Sequence, residues 1–214
     1  MTVVQSDTYD AVAALLKSSS PGAKTAALNM ASALQPGGGV VNGALAQEES
    51  LCVRSTLYPS LKGHYYRVPT TAAIYTPDVL VFRSADHGNL PKSEWFYTDV
   101  ISVAALKHPE IIMGPEGKLV YDVEQDKEAM VMKVRLIFQV ARMKGITHLV
   151  LGALGCGAYK NPPEEVAMIF RKVIFGDRKR SGVEGVQEVV FAIFDDGENL
   201  RTFREMFREE CEEG

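Results

Sequence analysis

The strongest constraint on the fold is an alternation along the chain. Short apolar runs rich in β-branched residues are separated by longer segments whose apolar residues recur at helical spacing. Val79-Leu80-Val81-Phe82 and Val100 to Ala104 read as interior strands, because few charges interrupt them. Lys24 to Met30 suits a short buried strand, His148 to Leu151 another, and Val189 to Phe194 a strand that closes the sheet. Between them, Asp10 to Leu16 is helix-like, and Ala44 to about Leu61 places Leu45, Cys52, Val53, Leu57 and Leu61 at helical spacing. Glu124 to Lys144 carries one stripe of Met130, Val134, Ile137, Phe138 and Ala141, with Gly145 as its stop. Asn161-Pro162-Pro163-Glu164 has the chemistry of a helix start with Asn161 as N-cap, and Glu198 to Glu210 reads as a polar terminal helix. Strands alternating with helices predict an α/β layered fold. No repeat, low-complexity tract or linker divides the chain, so residues 1–214 are expected to form a single domain.

Composition narrows the partners. With 46% hydrophobic residues, disorder is excluded. Lys+Arg 23 against Asp+Glu 27 gives a net charge of −4, which argues against coating DNA, where excess cations must displace phosphate counterions. A small anionic ligand remains compatible, because backbone amides bind phosphate without side-chain charge. Cys52, Cys156 and Cys211 are odd in number and far apart, so they read as reduced thiols of an intracellular protein. No signal peptide and no membrane-spanning apolar stretch is visible, and the expected location is cytoplasmic or nuclear.

Two glycine clusters, Pro36-Gly37-Gly38-Gly39 and Gly152 to Gly157, each follow a strand-like segment. Successive N–H groups in such loops form anion sites that a ligand approaches unhindered by a Cβ. Gly155-x-Gly157 invites a dinucleotide-fold reading, with Asp177 as the distant acid, but position 160 is Lys and the motif falls late in the sheet. No phosphate-binding G-x-x-x-x-G-K-[ST] is present. The bland readings are close helix–strand packing for the later cluster and a mobile turn for the earlier one. What shifts the balance is Gln47-Glu48-Glu49, a few residues after the triple glycine. Acids at a helix start usually just complement the dipole. Here a phosphate-binding loop brings them within reach of whatever the phosphate carries, and a glycosidic bond needs a proton on its leaving oxygen and a base for water. On a helix the two side chains point about 100° apart, so they would have different jobs. Repulsion between them could keep one protonated near neutral pH.

The run Asn29-x-Ala31-Ser32, Pro36 to Gly39, Gln47-Glu48-Glu49 and Leu57-Tyr58 resembles the microbial-type poly(ADP-ribose) glycohydrolases, as do Ile74 to Arg83 and Gly155-Cys156-Gly157 with Asn161-Pro162-Pro163. The resemblance implies a three-layer α/β/α macrodomain with a mixed central sheet and a metal-independent, cofactor-free glycosidase. Its substrate would be poly(ADP-ribose) or ADP-ribosylated proteins, and its product ADP-ribose, with no membrane or direct DNA binding. By the same resemblance, Asn29 and Asn42 lie near the distal ribose, Gly37, Gly38 and Gly39 wrap that ribose and the diphosphate, and Gln47 belongs to the binding site. Glu48 orients a ribose hydroxyl and Glu49 is the catalytic acid. Gly155, Cys156, Gly157 and Ala158 form a second diphosphate loop, with Tyr159, where relatives usually carry Phe, packed on the terminal ADP-ribose. Many relatives have a helical extension before the macrodomain, of which almost nothing precedes Asp7 here. Two alternatives stay open: a reader that binds ADP-ribose without cleaving it, and a mono-ADP-ribosyl-protein hydrolase.

Other candidates read as structural. His64, His87, His108 and His148 lack metal-ligand spacing and suit surface or packing roles. Cys156 has no identifiable paired His and fits a loop filler, Trp95 fits a surface-to-core anchor, and Arg178 to Gly182 a solvated basic turn.

Overall fold

The computed structural model describes residues 1–115, 117–177 and 180–208. Arg178, Lys179 and Cys211, singled out above, lie outside them. In chain order the strands are β1 (Thr2–Gln5), β2 (Thr25–Met30), β3 (Ile74–Val81), β4 (Phe96–Val103), β5 (Ile111–Met113), β6 (Leu119–Tyr121), β7 (His148–Leu151), β8 (Gly176–Asp177), β9 (Arg180–Ser181) and β10 (Glu188–Ile193). The helices are α1 (Thr8–Ser18), α2 (Gln47–Arg54), α3 (Leu57–Ser60), α4 (Glu124–Met143), α5 (Pro163–Phe175) and α6 (Glu198–Met206).

Six strands make the central sheet in the order β1-β10-β7-β2-β4-β3, all parallel except the antiparallel edge strand β3. Alternate residues of each strand face opposite layers. Leu28, Leu149, Leu151 and Phe191 pack with α4, α5 and α6, whereas Ala27, Val150, Val190 and Ala192 pack with α1 and α2. This is the expected three-layer α/β/α arrangement with a mixed sheet.

Several boundaries differ from the sequence reading, each for a tertiary reason. The helix expected from Ala44 begins only at Gln47, leaving Leu45 85% exposed. It stops at Arg54 because Ser55 is drawn into an extended bridge with Val81, and the Thr56 amide donates to the Leu80 carbonyl at 3.0 Å. Val79 to Val81 is not an interior strand but part of the edge strand β3, whose burial comes from α2 and α3 lying over it. Val189 to Ile193 does not close the sheet, since Thr2–Gln5 pairs outside it in parallel; four residues are too few to show a period. Asn161 is not an N-cap. Pro162 holds that position, and the Asn161 side chain bonds elsewhere. The last helix is amphipathic rather than simply polar, burying Leu200 and Phe203 in an aromatic group with Phe170, Phe191 and Phe207. The β5–β6 hairpin gave no sequence signal. Trp95 does anchor its loop, donating Nε1 to the Leu90 carbonyl at 3.0 Å. Among the described residues, no helix is long and apolar enough to cross a membrane, and no three His, Cys, Asp or Glu side chains cluster as metal ligands.

Arg54 ties the second helix to the first. The residue is 1% exposed, and its guanidinium holds Asp7, the N-cap of α1, while reaching Asp10 at 2.7 Å and the Arg83 carbonyl at 3.1 Å. Replacing one partner of a buried pair strands the other's charge. Arg54→Met should therefore lower the unfolding free energy by about 3 kcal/mol in urea denaturation, the low end of such losses because Asp10 is half exposed. An unchanged midpoint would show that the pair does not hold α2 in place.

Candidate active site

β2 and β7 are parallel neighbours whose following segments leave for opposite faces of the sheet. β2 leads through residues 31–46 to α2 in one layer, and β7 through residues 152–162 to α5 in the other. Where adjacent connections diverge, the carboxyl ends of the strands open into a crevice, the usual ligand position in open α/β sheets. Both glycine clusters lie at that point.

Gln47, the first residue of α2, fixes the helix to the end of β2. Its Oε1 accepts from the Met30 amide at 2.9 Å, and its Nε2 donates to the Leu28 carbonyl at 2.7 Å and to Thr8 Oγ1 at 3.2 Å. The side chain of this predicted binding residue is thus occupied in positioning the acids that follow. Glu48 and Glu49 are both buried. Glu48 accepts from the Ser32 amide at 2.6 Å and from Asn29 Nδ2 at 3.3 Å. Glu49 accepts from the Gly39 amide at 2.7 Å through Oε1, while its Oε2 is buried with no partner among the described residues. The side chains serve different partners, as their angular separation on the helix predicts, yet both reach the same point. A Cβ on Gly38 would lie 2.5 Å from Glu49 Oε1 and 2.9 Å from Glu48 Oε2, and the φ of +57° there is itself one that L side chains resist.

Burial pushes the Glu48 carboxyl up to about 7, with the charge of Glu49 adding to the effect and the bonds from Ser32 and Asn29 opposing it. Around the acids lie further polar atoms without partners among the described residues. Asn29 is fully buried, with Nδ2 bonded to Ser102 at 3.0 Å and Oδ1 unbonded; the Tyr66 hydroxyl, which feels the charge of Glu48, is also unbonded. Tyr58 lies beneath the loop, where a Cβ on Gly37 would meet its ring at 2.7 Å. Asn42, by contrast, is exposed, and its side chain makes no hydrogen bond among the described residues.

The second loop has the opposite hydrogen-bond arrangement. Its carbonyls are engaged: Ala153 accepts from Cys156 N, Gly155 from Asn161, Gly157 from Lys160, and Ala158 and Tyr159 from His108. The amides of Gly157, Ala158 and Tyr159 have no acceptor among the described residues. Gly155, at φ +76°, packs so tightly on Ala105 and Asn161 that a Cβ would approach each to 2.5 Å, whereas a Cβ on Gly157 would meet only open space. Cys156 is buried, and burial drives its thiol far up, so it fills the loop rather than acting as a nucleophile. The Tyr159 side chain lies close enough to feel both acids, so the two loops face each other across the crevice. Cavities of about 400 and 370 Å³ lie elsewhere, beside α5 with α6 and between α4 and α5, and neither is lined by an acid-pair or glycine-loop residue.

Sequence reasoning missed the parts played by Ser32, Tyr66 and His108. Ser32 acts mainly through its amide, Tyr66 reaches the acids from a separate loop, and His108 enters beside the unpredicted hairpin, so no local spacing marks any of them.

The three-layer fold and a crevice pairing one carboxylate-lined loop with one donor-rich loop define a macrodomain-like protein. Residues 1–84 match the family model described as "Microbial-type PARG, catalytic domain". A poly(ADP-ribose) glycohydrolase from Deinococcus radiodurans, solved in complex with ADP-ribose, is 31% identical with a TM-score of 0.80, over 98% of this chain and 84% of that one. The poly(ADP-ribose) glycohydrolase from Thermomonospora curvata is 30% identical with a TM-score of 0.80, over 96% of this chain and 76% of that one. The same enzyme bound to the inhibitor ADP-HPD aligns at 29% identity and a TM-score of 0.76, over 97% and 78% of the two chains. A search of curated proteins finds no match. The chain belongs to the microbial-type poly(ADP-ribose) glycohydrolase family.

The Glu48 environment has a consequence for stability. Its carboxyl titrates at 4.5 when unperturbed and at about 7 when folded, so the folded state favours the protonated form. That contribution is complete below about pH 4.5 and is lost as pH rises through about 7. The melting temperature of the unliganded wild type, taken relative to Glu48→Gln, should fall across this window. A flat difference would mean that Glu48 titrates as it does in the unfolded chain.

Proposed function

We propose that this chain hydrolyses the ribose–ribose O-glycosidic bonds of poly(ADP-ribose) and releases ADP-ribose, with Glu49 as general acid and base. The observation that carries the reading is Glu49 Oε2, a buried carboxylate oxygen with no partner among the described residues, whose twin is anchored on the Gly39 amide. A catalytic acid needs one oxygen held and one free to meet the reacting atoms. Family membership supplies the substrate, and the solved relative's complex with ADP-ribose supports a crevice for that product.

In this mechanism the amides of Gly157, Ala158 and Tyr159 take the diphosphate, and the distal ribose lies in the crevice against the free Glu49 Oε2. Both oxygens of Glu48 are committed to donors, which suits holding and orienting a ribose hydroxyl rather than shuttling a proton. Glu49 protonates the leaving oxygen as the anomeric carbon becomes oxocarbenium-like, stabilised partly by the substrate's own diphosphate, and then deprotonates the attacking water. Asn29, with its free Oδ1, belongs beside the ribose. The steps use no metal or cofactor. Residues 1–214 act as one catalytic domain on poly(ADP-ribose) or ADP-ribosylated proteins, inside the cell and without binding DNA directly.

The test is a pair of isosteric changes. Glu49→Gln should lower polymer turnover by about 10²–10⁴-fold while ADP-ribose affinity, measured calorimetrically, holds or improves. Glu48→Gln should lose turnover and more of the binding. A Glu49→Gln protein that degrades polymer at the wild-type rate defeats the mechanism, and a wild type that binds ADP-ribose but leaves polymer intact is a reader.

A further inference from the structure

We infer that His108 is a positioning residue that aims the donors of the second glycine loop at the ligand's diphosphate. The inference rests on reading that loop as the diphosphate cradle. His108 lies between β4 and the β5–β6 hairpin, at a left-handed φ of +51° that His tolerates better than most residues. Its amide donates to the Tyr159 carbonyl at 2.9 Å, and its Nε2 lies 2.9 Å from the Ala158 carbonyl. A carbonyl only accepts, so Nε2 carries the hydrogen.

One residue thereby holds two consecutive carbonyls of the loop. In a trans peptide the C=O and the following N–H point in opposite directions. Fixing the Ala158 carbonyl on the imidazole therefore turns the Tyr159 N–H away from His108 and into the crevice. The neighbouring Gly157–Ala158 peptide is fixed similarly, its carbonyl accepting from Lys160 N at 3.2 Å. The segment bearing His108 is itself secured to the loop, because Asn161 Nδ2 donates to the Leu106 and Gly155 carbonyls at 2.7 and 3.1 Å and Tyr121 donates to Asn161 Oδ1 at 2.9 Å. The bond from the imidazole is the shorter of two side-chain bonds to the donor-bearing 157–159 stretch, the other running from Asn161 Nδ2 to the Tyr159 carbonyl at 3.5 Å. It is also the one that substitution can remove while Asn161 and Tyr121 keep the segment docked.

Two substitutions separate the imidazole from the backbone. His108→Gly keeps the amide donor and suits the left-handed φ but removes the side chain; His108→Gln restores a side-chain N–H donor. By calorimetry, ADP-ribose should bind His108→Gly about 3- to 10-fold more weakly than wild type, the scale of one hydrogen bond. KM for the polymer should rise by the same factor with kcat preserved, because the acids sit on α2. His108→Gln should recover most of the loss. Wild-type affinity in a folded His108→Gly protein, or a fall in kcat with KM unmoved, would overturn the role assigned to His108 and leave the cradle standing. Failure of the wild type itself to bind ADP-ribose would instead overturn the cradle.

Discussion

Burying two adjacent carboxylates at the start of an eight-residue helix is the constraint around which this site is built. Each charge leaves water at a cost that only donors, protonation or a counter-charge can offset. Among the described residues, no cation is a hydrogen-bond partner of Glu48 or Glu49. The donors are neutral instead: the Ser32 amide and Asn29 Nδ2 for Glu48, and the Gly39 amide for Glu49, with the positive end of α2 contributing. Glu48 reduces the remaining cost by holding its proton up to about pH 7. The triple glycine is thus first a device for solvating carboxylates. It bends back through left-handed Gly37 and Gly38 so that the Gly39 amide meets Glu49 and Gly38 leaves room for both acids.

That geometry requires α2 to be fixed at both ends, and the sequence provides for each. Gln47 bonds the first turn to the end of β2, and Arg54 bonds the last turn to Asp7 and Asp10 of the first helical segment. The helix is too short to be stable by its own propensity, and its position comes from tertiary packing and these attachments. Stability and chemistry therefore share residues: Asp7 caps α1 while holding Arg54, which holds the helix that carries the acids.

Much of this was legible in the sequence. The α/β class followed from periodicity, and the acid pair from its distance to the triple glycine. Glu48, Glu49, Gly37 to Gly39, Asn29 and the Gly155–Tyr159 loop do converge on one crevice. What sequence could not supply was anything set by a partner distant along the chain. β1 has four residues and exists because β10 offers it a parallel edge. Helical periodicity continues through Leu57, but Ser55 pairs with Val81 and ends the helix. Asn161 looks like a cap because Pro follows it, yet three carbonyls and a tyrosine hydroxyl occupy its amide. Ser32 bonds Glu48 through its amide, which every residue but proline carries, so its importance left no compositional trace.

The two glycine clusters look alike as text and differ as physics. In the first, glycine is needed because protein already fills the space: a Cβ on Gly37 meets Tyr58, and one on Gly38 meets both carboxylates. The Gly39 amide is spent on Glu49 and the Gly38 amide on the Gln35 carbonyl, so the loop serves the protein's own groups and sets the charge on this side of the crevice. In the second, Gly155 is required by close packing, but Gly157 faces open space and stands beside amides that have no acceptor among the described residues. An exposed glycine that nothing crowds, next to amides with no acceptor among the described residues, leaves that stretch of backbone open to a ligand. The division assigns negative charge to one side of the crevice and donors to the other. On the proposed reading, a diphosphate would be drawn to the second loop and repelled from the first, which would orient the attached ribose toward the acids.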